Sequence, residues 1–419
     1  MKNSYQYDIK FFEFIKNNLN NDPNILRLKY NGKDTGFNTG LAIDQIECRQ
    51  KTKNKLSYFI KDERFLFPSV QAAEQSTNQC VASYHAMLIG KDKKIADLTA
   101  GLGIDSFTMA LHGNIVTSFE IDMDRFCCLN HNKSLFYSEI KAENGEIEFI
   151  HSNSIEWLKE HSLNTGYDYI FIDPARRNVM NNRVFKFSDC KPNVVENFSL
   201  LQDSAENIII KSSPILDIHQ IIYEIPKTTS IHIVCVKGEC KEVLVICSKD
   251  RSNDNPEIIT VNLDNNENRD IHILSRWACH FNDLGISGKL IDYENIRENA
   301  YVYDPNAAIH KLRVDGKLCV DFPELYRLSA NTDLYYSESL YKDFPGRIFK
   351  ITSILTKKDL KGYNKQKREI ITRNYPLTAD QLRRKLSTLS GGNQYIIGAK
   401  VGENEKPLLL DCNIWCDIC

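Results

Sequence analysis

Two short runs hold the side chains best suited to chemistry. The first is Asp97-Leu98-Thr99-Ala100-Gly101-Leu102-Gly103-Ile104-Asp105, which follows the apolar stretch Ile95-Ala96. Glycines at 101 and 103 let the backbone turn sharply and let a ligand approach without meeting a β-carbon. N–H groups at the start of the helix that follows favour a carboxylate or phosphate. Glu120 ends the next apolar run and is placed to accept hydrogen bonds from two ribose hydroxyls. Together these residues describe a nucleoside-cofactor site. The second run, Asp173-Pro174-Ala175-Arg176-Arg177, closes Tyr169-Ile170-Phe171-Ile172. In open parallel sheets ligands sit outside the carboxyl ends of the strands, so Asp173 and the glycine loop should flank one crevice.

The elements around these runs must put both at one edge of a sheet. Apolar strands read at 95–98, 114–120, 147–150, 168–173, 207–211, 230–236 and 243–247, with helices between them, for example over 124–136 and 154–161. Alternation of this kind predicts an α/β fold with a parallel sheet covered on both faces. The last two strands are valine-rich and joined by Lys237-Gly238-Glu239-Cys240, which predicts an antiparallel hairpin. Residues 1–75 read as helical, with Phe11, Phe12, Phe14, Ile15 and Leu19 on one stripe. Arg49, Lys51, Lys53 and Lys55 read there as a solvated face. Thr77 or Ser76 is the expected cap of a helix over about 80–89. Past Lys249 the chain becomes polar and turn-rich, with short strands at 257–262 and 271–274. Beyond about 276 it reads as smaller α+β regions, in which Tyr301 to Ala307 opens a helix and Phe349 to Leu355 is a strand.

A chain of 419 residues predicts two to four domains. A formal net charge of −2 excludes a globally basic nucleic-acid binder, so any basic surface must be local. Between Lys350 and Lys385 eleven Lys or Arg stand against three acids, a local excess of eight with Tyr363 and Tyr375 nearby. Attraction to a phosphate backbone needs such an excess, although an amphipathic helix with a basic solvent face gives the same count. No apolar run reaches the length of a membrane span, and Met1 to Gln6 carries no signal-peptide core. Thirteen scattered cysteines suit a reducing compartment, so a cytoplasmic location is expected. Cys412, Cys416 and Cys419 have an iron–sulfur spacing but end the chain with no barrel after them; no metal site is expected.

The third glycine of a dinucleotide fingerprint is replaced by Ser106, which disfavours a nicotinamide-dependent oxidoreductase. The run from Asp97 instead resembles motif I of the class I S-adenosylmethionine-dependent methyltransferases. Asp173-Pro174 resembles motif IV of amino-methyltransferases, in which the side-chain oxygen and a proline carbonyl hold an exocyclic amine. Ala175 stands where that motif has a second proline, and Arg176 where it has an aromatic residue. Phe185 or Phe187 is the alternative stacking residue, and Arg176 and Arg177 are suited to gripping a phosphate or carboxylate.

Over nearly its full length the sequence resembles bacterial class I methyltransferases that carry a ferredoxin-like domain and a C-terminal THUMP-like domain. The matching stretches are Ala42 to Gln50, Glu74-Gln75-Ser76, Asp97 to Asp105, Asp173 to Arg177, Asp343 to Arg347, Thr372 to Leu377 and Gly391-Gly392. The resemblance implies a Rossmann-like seven-stranded sheet over 76–275, after a helical region at 1–75. It also implies a ferredoxin-like domain at 276–326, a THUMP-like domain at 327–411 and a tail at 412–419. It implies S-adenosyl-L-methionine as cofactor and RNA, with tRNA the leading expectation, as partner; no membrane and no obligate protein partner are expected. Asp97, Thr99, Gly101, Gly103 and Asp105 are expected around the methionine and ribose, Glu120 on the ribose hydroxyls and Ile121 against the adenine. Asn153 is expected on the adenine amine through its amide oxygen, while Ser154 either joins it or caps the next helix. Asp173, Pro174, Ala175 and Arg176 are expected to orient the acceptor. Arg177, Phe185, Phe187, Arg347, Lys365, Arg368 and Arg373 are expected to contact the substrate. The rival from another class is a protein that binds the cofactor and RNA without catalysis.

Overall fold

The computed structural model describes residues 7–161, 166–176, 186–249, 254–265, 270–356 and 358–416. Arg177, Phe185, Lys357 and Cys419 lie outside the described residues. The chain divides into two compact units. The first comprises residues up to Ile231 together with Glu242–Asp254 and Leu263–His272; the second comprises His232–Lys241, Asn255–Asn262 and Ile273–Cys419.

The first unit starts with three helices, α1 (Ile9–Asn18), α2 (Pro23–Tyr30) and α3 (Thr39–Thr52). Each begins at a side-chain cap. Asp8 accepts from the Phe11 N–H (2.9 Å), Asp22 from that of Asn24 (2.7 Å) and Asn38 from that of Leu41 (3.0 Å). The expected stripe forms: Phe11 and Ile15 are buried with Ala42, Ile43 and Ile46, and Phe12, Phe14 and Leu19 pack against them. Lys51 and Lys53 are exposed, but Arg49 corrects the solvated-face reading, since it is only 6 % exposed. Its guanidinium donates to the carbonyls of Glu63 (2.8 Å) and Phe65 (2.6 Å), because the segment crossing α3 there presents carbonyls that no helix or strand uses.

Two more helices, α4 (Val70–Gln75) and α5 (Gln79–Ile89), lead into the sheet. The cap of α5 is Asn78, accepting from the Cys80 N–H at 3.0 Å, rather than Thr77 or Ser76. Then β1 (Lys94–Asp97), α6 (Ile104–Leu111), β2 (Ile115–Glu120), α7 (Met123–Ala142), β3 (Glu146–His151), α8 (Ser154–His161) and β4 (Tyr167–Ile172) alternate. A two-residue ribbon follows, β5 (Ala175–Arg176) with β6 (Cys190–Lys191). After it come α9 (Val194–Ser204), β7 (Ala205–Ser212), α10 (Ile218–Glu224), β8 (Thr228–Val236) and β9 (Glu239–Ser248). The sheet has nine strands rather than the expected seven, and the seven of them named so far lie in the order β8-β9-β7-β4-β1-β2-β3. From β7 to β3 the pairings are parallel, while β9 runs antiparallel to β7. Lys237 (φ 48°) and Gly238 (φ 77°) turn the β8–β9 hairpin with two positive φ values, as a tight hairpin turn requires.

The second unit includes β10 (Glu257–Leu263) and β11 (Ile273–His280), followed by a seven-stranded sheet. Its elements are β12 (Tyr301–Pro305), α11 (Ala307–Leu312), α12 (Asp315–Asp321), β13 (Tyr326–Ser329), β14 (Thr332–Ser337), β15 (Gly346–Ile354), β16 (Glu369–Arg373), α13 (Ala379–Leu386), β17 (Gln394–Val401) and β18 (Lys406–Cys416). The order is β13-β14-β12-β15-β18-β17-β16. The stretch expected to open a helix at 301–307 is mostly strand. β12 is hydrogen-bonded on both sides, and α11 starts only after Asn306, which caps it through the Ile309 N–H (3.1 Å). None of the helices among the described residues is long and apolar enough to cross a membrane.

The turn from β1 into α6 positions the candidate site. Gly101 (φ 57°) and Gly103 (φ 82°) both adopt left-handed backbone. A β-carbon on Gly103 would lie 2.5 Å from Leu129 Cδ2 and 2.9 Å from Phe107 Cε2, so this glycine is required by packing as well as by backbone. Gly103→Ala is expected to lower unfolding free energy by about 2–4 kcal/mol in urea denaturation. An unchanged midpoint would show that the loop tolerates a different path.

Candidate functional site

The glycine loop is held from beneath by a buried acid. The Asp97 carboxylate accepts from the Thr99 N–H (3.0 Å) and the Ser106 hydroxyl, and Ser106 lies 2.7 Å from the Ser118 hydroxyl. Burial pushes the Asp97 carboxyl up to about 7. Its oxygens serve the loop, so Asp97 shapes the site from inside. The Thr99 hydroxyl accepts from the Asp173 N–H at 2.7 Å, tying the loop after β1 to the loop after β4. The strands themselves join just below, where the Leu98 N–H reaches the Phe171 carbonyl (2.9 Å).

Glu120, at the end of β2, is 6 % exposed. One of its oxygens accepts from the Gly101 N–H (3.0 Å) and the other from the Asp122 N–H (2.8 Å). Each oxygen keeps further acceptor capacity, since a carboxylate offers about four lone-pair sites. Ile121 beside it is 67 % exposed. A β-carbon on Gly101 would meet nothing nearer than the Thr99 carbonyl at 3.9 Å. An open glycine, a buried acceptor and an exposed apolar side chain thus line one edge of the sheet. These residues fit a nucleoside-bearing cofactor such as S-adenosyl-L-methionine.

Some sequence-based assignments are corrected. The Asn153 amide oxygen caps α8, accepting from the N–H groups of Ile155 (3.1 Å) and Glu156 (3.4 Å), and Ser154 is buried behind it. The short residue before α8 satisfies that helix before it can serve a ligand. Phe187 is fully buried and its N–H donates to Glu224 (2.9 Å), so its ring is not available to stack on a base. Pro174 is buried and Ala175 exposed, with Ala175 and Arg176 paired to Lys191 and Cys190 in the β5–β6 ribbon.

The sequence reading missed a buried charge cluster directly behind Asp173. The Lys211 ammonium, near the end of β7, lies 2.8 Å from Asp173 Oδ2 and donates to the Thr77 hydroxyl at 2.8 Å. Thr77 in turn donates to Asp105 (2.5 Å), whose other oxygen is 2.8 Å from His85 Nδ1. The second ring nitrogen of His85 meets Glu242. Lys211 completes the cluster at 3.9 Å from Asp105 and 3.7 Å from Glu242. Asp105 therefore faces inward, toward this cluster. The available signals were a lysine closing Asn207-Ile208-Ile209-Ile210, a glutamate before Val243-Leu244-Val245, and a histidine inside an apolar helix. Charges in such positions need partners.

Among the expected RNA contacts, Arg347 is bound to Asp304 (2.5 Å), and Arg373, 39 % exposed, lies 3.4 Å from the same carboxylate. Arg368 is buried over the Tyr363 ring, 3.5 Å from Asp411. Lys365 is exposed. Its N–H donates to the Ser387 carbonyl (2.8 Å), which sets Lys365 and the exposed Lys367 beside the last turn of α13, where Arg384 and Lys385 are exposed.

Known proteins resemble this chain in fold and in part of its sequence. A family model for THUMP domain-like sequences matches residues 346–413. An uncharacterized RNA methyltransferase of Mycoplasma mobile is 26 % identical over 174 residues, covering 40 % of this chain and 44 % of that protein. Ribosomal RNA small subunit methyltransferase J of Francisella philomiragia is 27 % identical over 205 residues, covering 45 % of this chain and 73 % of that one. The chain thus spans less than half the length of the first of these relatives. A crystal structure from Porphyromonas gingivalis W83, assigned as a methyltransferase, superposes with a TM-score of 0.81 at 24 % identity, over 97 % of this chain and 98 % of that one. The chain has the Rossmann-like fold of the class I methyltransferases. Its C-terminal sheet carries a THUMP-like segment.

His85 gives the buried cluster a pH signature. Burial would lower its pKa, but the carboxylates of Glu242 and Asp105 more than reverse this and push it up to about 9. Burial would raise Asp105, and Lys211, His85 and Thr77 outweigh it and hold that carboxyl at about 2. Because the folded-state value of His85 exceeds its ordinary value of about 6.5, its stabilisation is complete below that pH and is lost as pH rises through about 9. The Asp105 contribution is present above about 4 and is lost as pH falls through about 2. The stability difference between wild type and His85→Gln is expected to be largest between about pH 4 and 6.5, and to shrink by on the order of 2 kcal/mol toward pH 10. Denaturant melts across that range measure it, and a difference that does not vary with pH would leave His85 uncharged.

Proposed function

We propose that the protein is an S-adenosyl-L-methionine-dependent methyltransferase acting on RNA, with tRNA the first substrate class to test. The observation that carries this reading is the hydrogen bond from the Asp173 N–H to the Thr99 hydroxyl, which couples the glycine loop to the acceptor loop at one sheet edge. In this reading Glu120 accepts from the ribose hydroxyls, Ile121 covers the adenine, and Thr99, Gly101 and Gly103 form the backbone wall beside the methionine. When bound, the cofactor supplies an electrophilic methyl group on a sulfonium. Asp173, 44 % exposed at its side chain, accepts a hydrogen bond from the acceptor group, and the Pro174 carbonyl accepts a second. The chain's contribution is alignment, which converts a bimolecular encounter into a positioned one. The RNA-methyltransferase relatives and the THUMP-like segment support RNA as the acceptor. The exposed Lys365, Lys367, Arg384 and Lys385 give that segment cations for phosphate contact.

The test is transfer of labelled methyl groups to RNA fractions, with nucleoside mass spectrometry of a deletion strain to find the missing modification. Label is expected in RNA, most strongly in the tRNA fraction. Glu120→Ala is expected to weaken binding of S-adenosylhomocysteine by roughly 1.5–3 kcal/mol in calorimetry. Tight RNA binding without transfer would replace this reading with that of a cofactor-dependent RNA binder.

A further inference from the structure

We infer that Lys211 is a positioning residue for Asp173, fixing one carboxylate oxygen against the buried Thr77–Asp105–His85–Glu242 chain and leaving the other for the docked acceptor. The inference rests on the methyltransferase reading above and adds to it a residue that neither sequence motif contains. Ile172 of β4 pairs with Ile210 of β7, so Asp173 and Lys211 are the next residues on neighbouring parallel strands. The ammonium reaches Asp173 Oδ2 at 2.8 Å, and among the described residues Oδ1 has no partner.

Charge counting shows which residue serves which. Glu242 is buried and the Asp105 side chain is 13 % exposed, and the two carboxylates flank the buried His85 ring and favour its protonated form. Lys211 supplies the charge that balances the pair, at 3.9 Å and 3.7 Å. Those buried groups are neutral as a set without Asp173. Asp173 is the surplus anion, the only member of the cluster exposed by as much as 44 %, and it sits at the rim. Lys211 thus meets two anions besides Asp173, whereas among the described residues the Asp173 carboxylate meets one cation, the Lys211 ammonium. The groups facing the ammonium are Asp105 from α6, Glu242 from β9, Asp173 after β4 and the Thr77 hydroxyl before α5, with His85 of α5 behind them. An ammonium held on several sides has one geometry, and it transmits that geometry to the carboxylate it donates to.

Lys211→Met, Lys211→Arg, Asp173→Asn and the Lys211→Met/Asp173→Asn double variant test this in the full-length protein. Lys211→Met is expected to lower kcat for RNA methylation by about 30-fold or more, with S-adenosylhomocysteine affinity and KM for RNA within about 3-fold. Lys211→Arg should recover most of the loss. On the Asp173→Asn background, Lys211→Met should cost less than about 2-fold further. A Lys211→Met loss of equal size on that background, or one matched by lost cofactor affinity, would assign Lys211 to general support of the fold. A second readout does not depend on turnover. The Lys211 ammonium should give a slowly exchanging 15N resonance at neutral pH that moves or vanishes in Asp173→Asn. An unmoved resonance would overturn the positioning role even if Lys211→Met fails to fold. Absence of methyl transfer by the wild type would instead count against the methyltransferase reading, leaving the resonance to decide the contact.

Discussion

A lysine ammonium cannot sit at the end of an isoleucine-rich strand unless anions meet it there, and around Lys211 that requirement organises the first unit. Isolated burial of such an ion costs several kcal/mol, and removing one partner from a buried pair leaves that cost uncompensated. Asp105, Glu242 and Asp173 surround the ammonium, and Thr77 and His85 use the remaining carboxylate capacity of Asp105 and Glu242. The partners come from α5, α6, β9, the loop after β4 and the connection before α5. One buried charge therefore fixes the relative placement of elements that apolar packing alone would hold less specifically. Lys211 stays protonated because the three carboxylates outweigh the burial that opposes its charge.

The glycine turn obeys the same logic with hydrogen bonds in place of ion pairs. Asp97 lies beneath it, its acidity weakened by burial, and its oxygens are satisfied by the Ser106 hydroxyl and the Thr99 backbone. Thr99 then links that floor to Asp173. The result is two loops whose exposed faces are built on internal hydrogen bonds. Such a scaffold would suit the proposed chemistry, which is limited by alignment, because both loops are fixed before any ligand arrives.

The strands of the first unit were legible because each is a short apolar run between polar turns, and periodicity reads that directly. The places of Gly101, Glu120 and Asp173 in the chain were legible too, since each ends or closely follows a recognisable strand. The pairing of Lys211 with Thr77 spans 134 residues and that of His85 with Glu242 spans 157, and no local pattern encodes a contact of that length. Residues that satisfy their own surroundings misled the reading in the opposite direction. Asn153 and Ser154 stand where a ligand contact was expected, yet α8 needed a cap first. Arg49 was counted with its lysine neighbours, although the segment that buries it takes its guanidinium on the backbone carbonyls of Glu63 and Phe65.

Charge counts along the C-terminal segment show the same limit in quantitative form. Eleven basic residues against three acids is a true property of the sequence between Lys350 and Lys385. Yet Arg368, Arg373 and Arg383 spend their guanidinium groups on Asp411, Asp304 and Glu369, two of which lie outside that window. A cation already paired inside the fold releases no counterion when a phosphate approaches, so it adds nothing to the salt dependence of nucleic-acid binding. Among the described residues, the exposed cations left for a polyanion are Lys358, Lys365, Lys367, Arg384 and Lys385. Four of these five cluster where the backbone of residues 365–368 runs against that of residues 387–389. The cations in the last turn of α13 also complement the negative end of that helix, so part of their field is committed to the fold before any partner binds. The electrostatic footprint that the described residues give this segment is therefore smaller and more local than its composition implies, and in the proposed reading RNA contact would draw on shape or stacking as well as on charge.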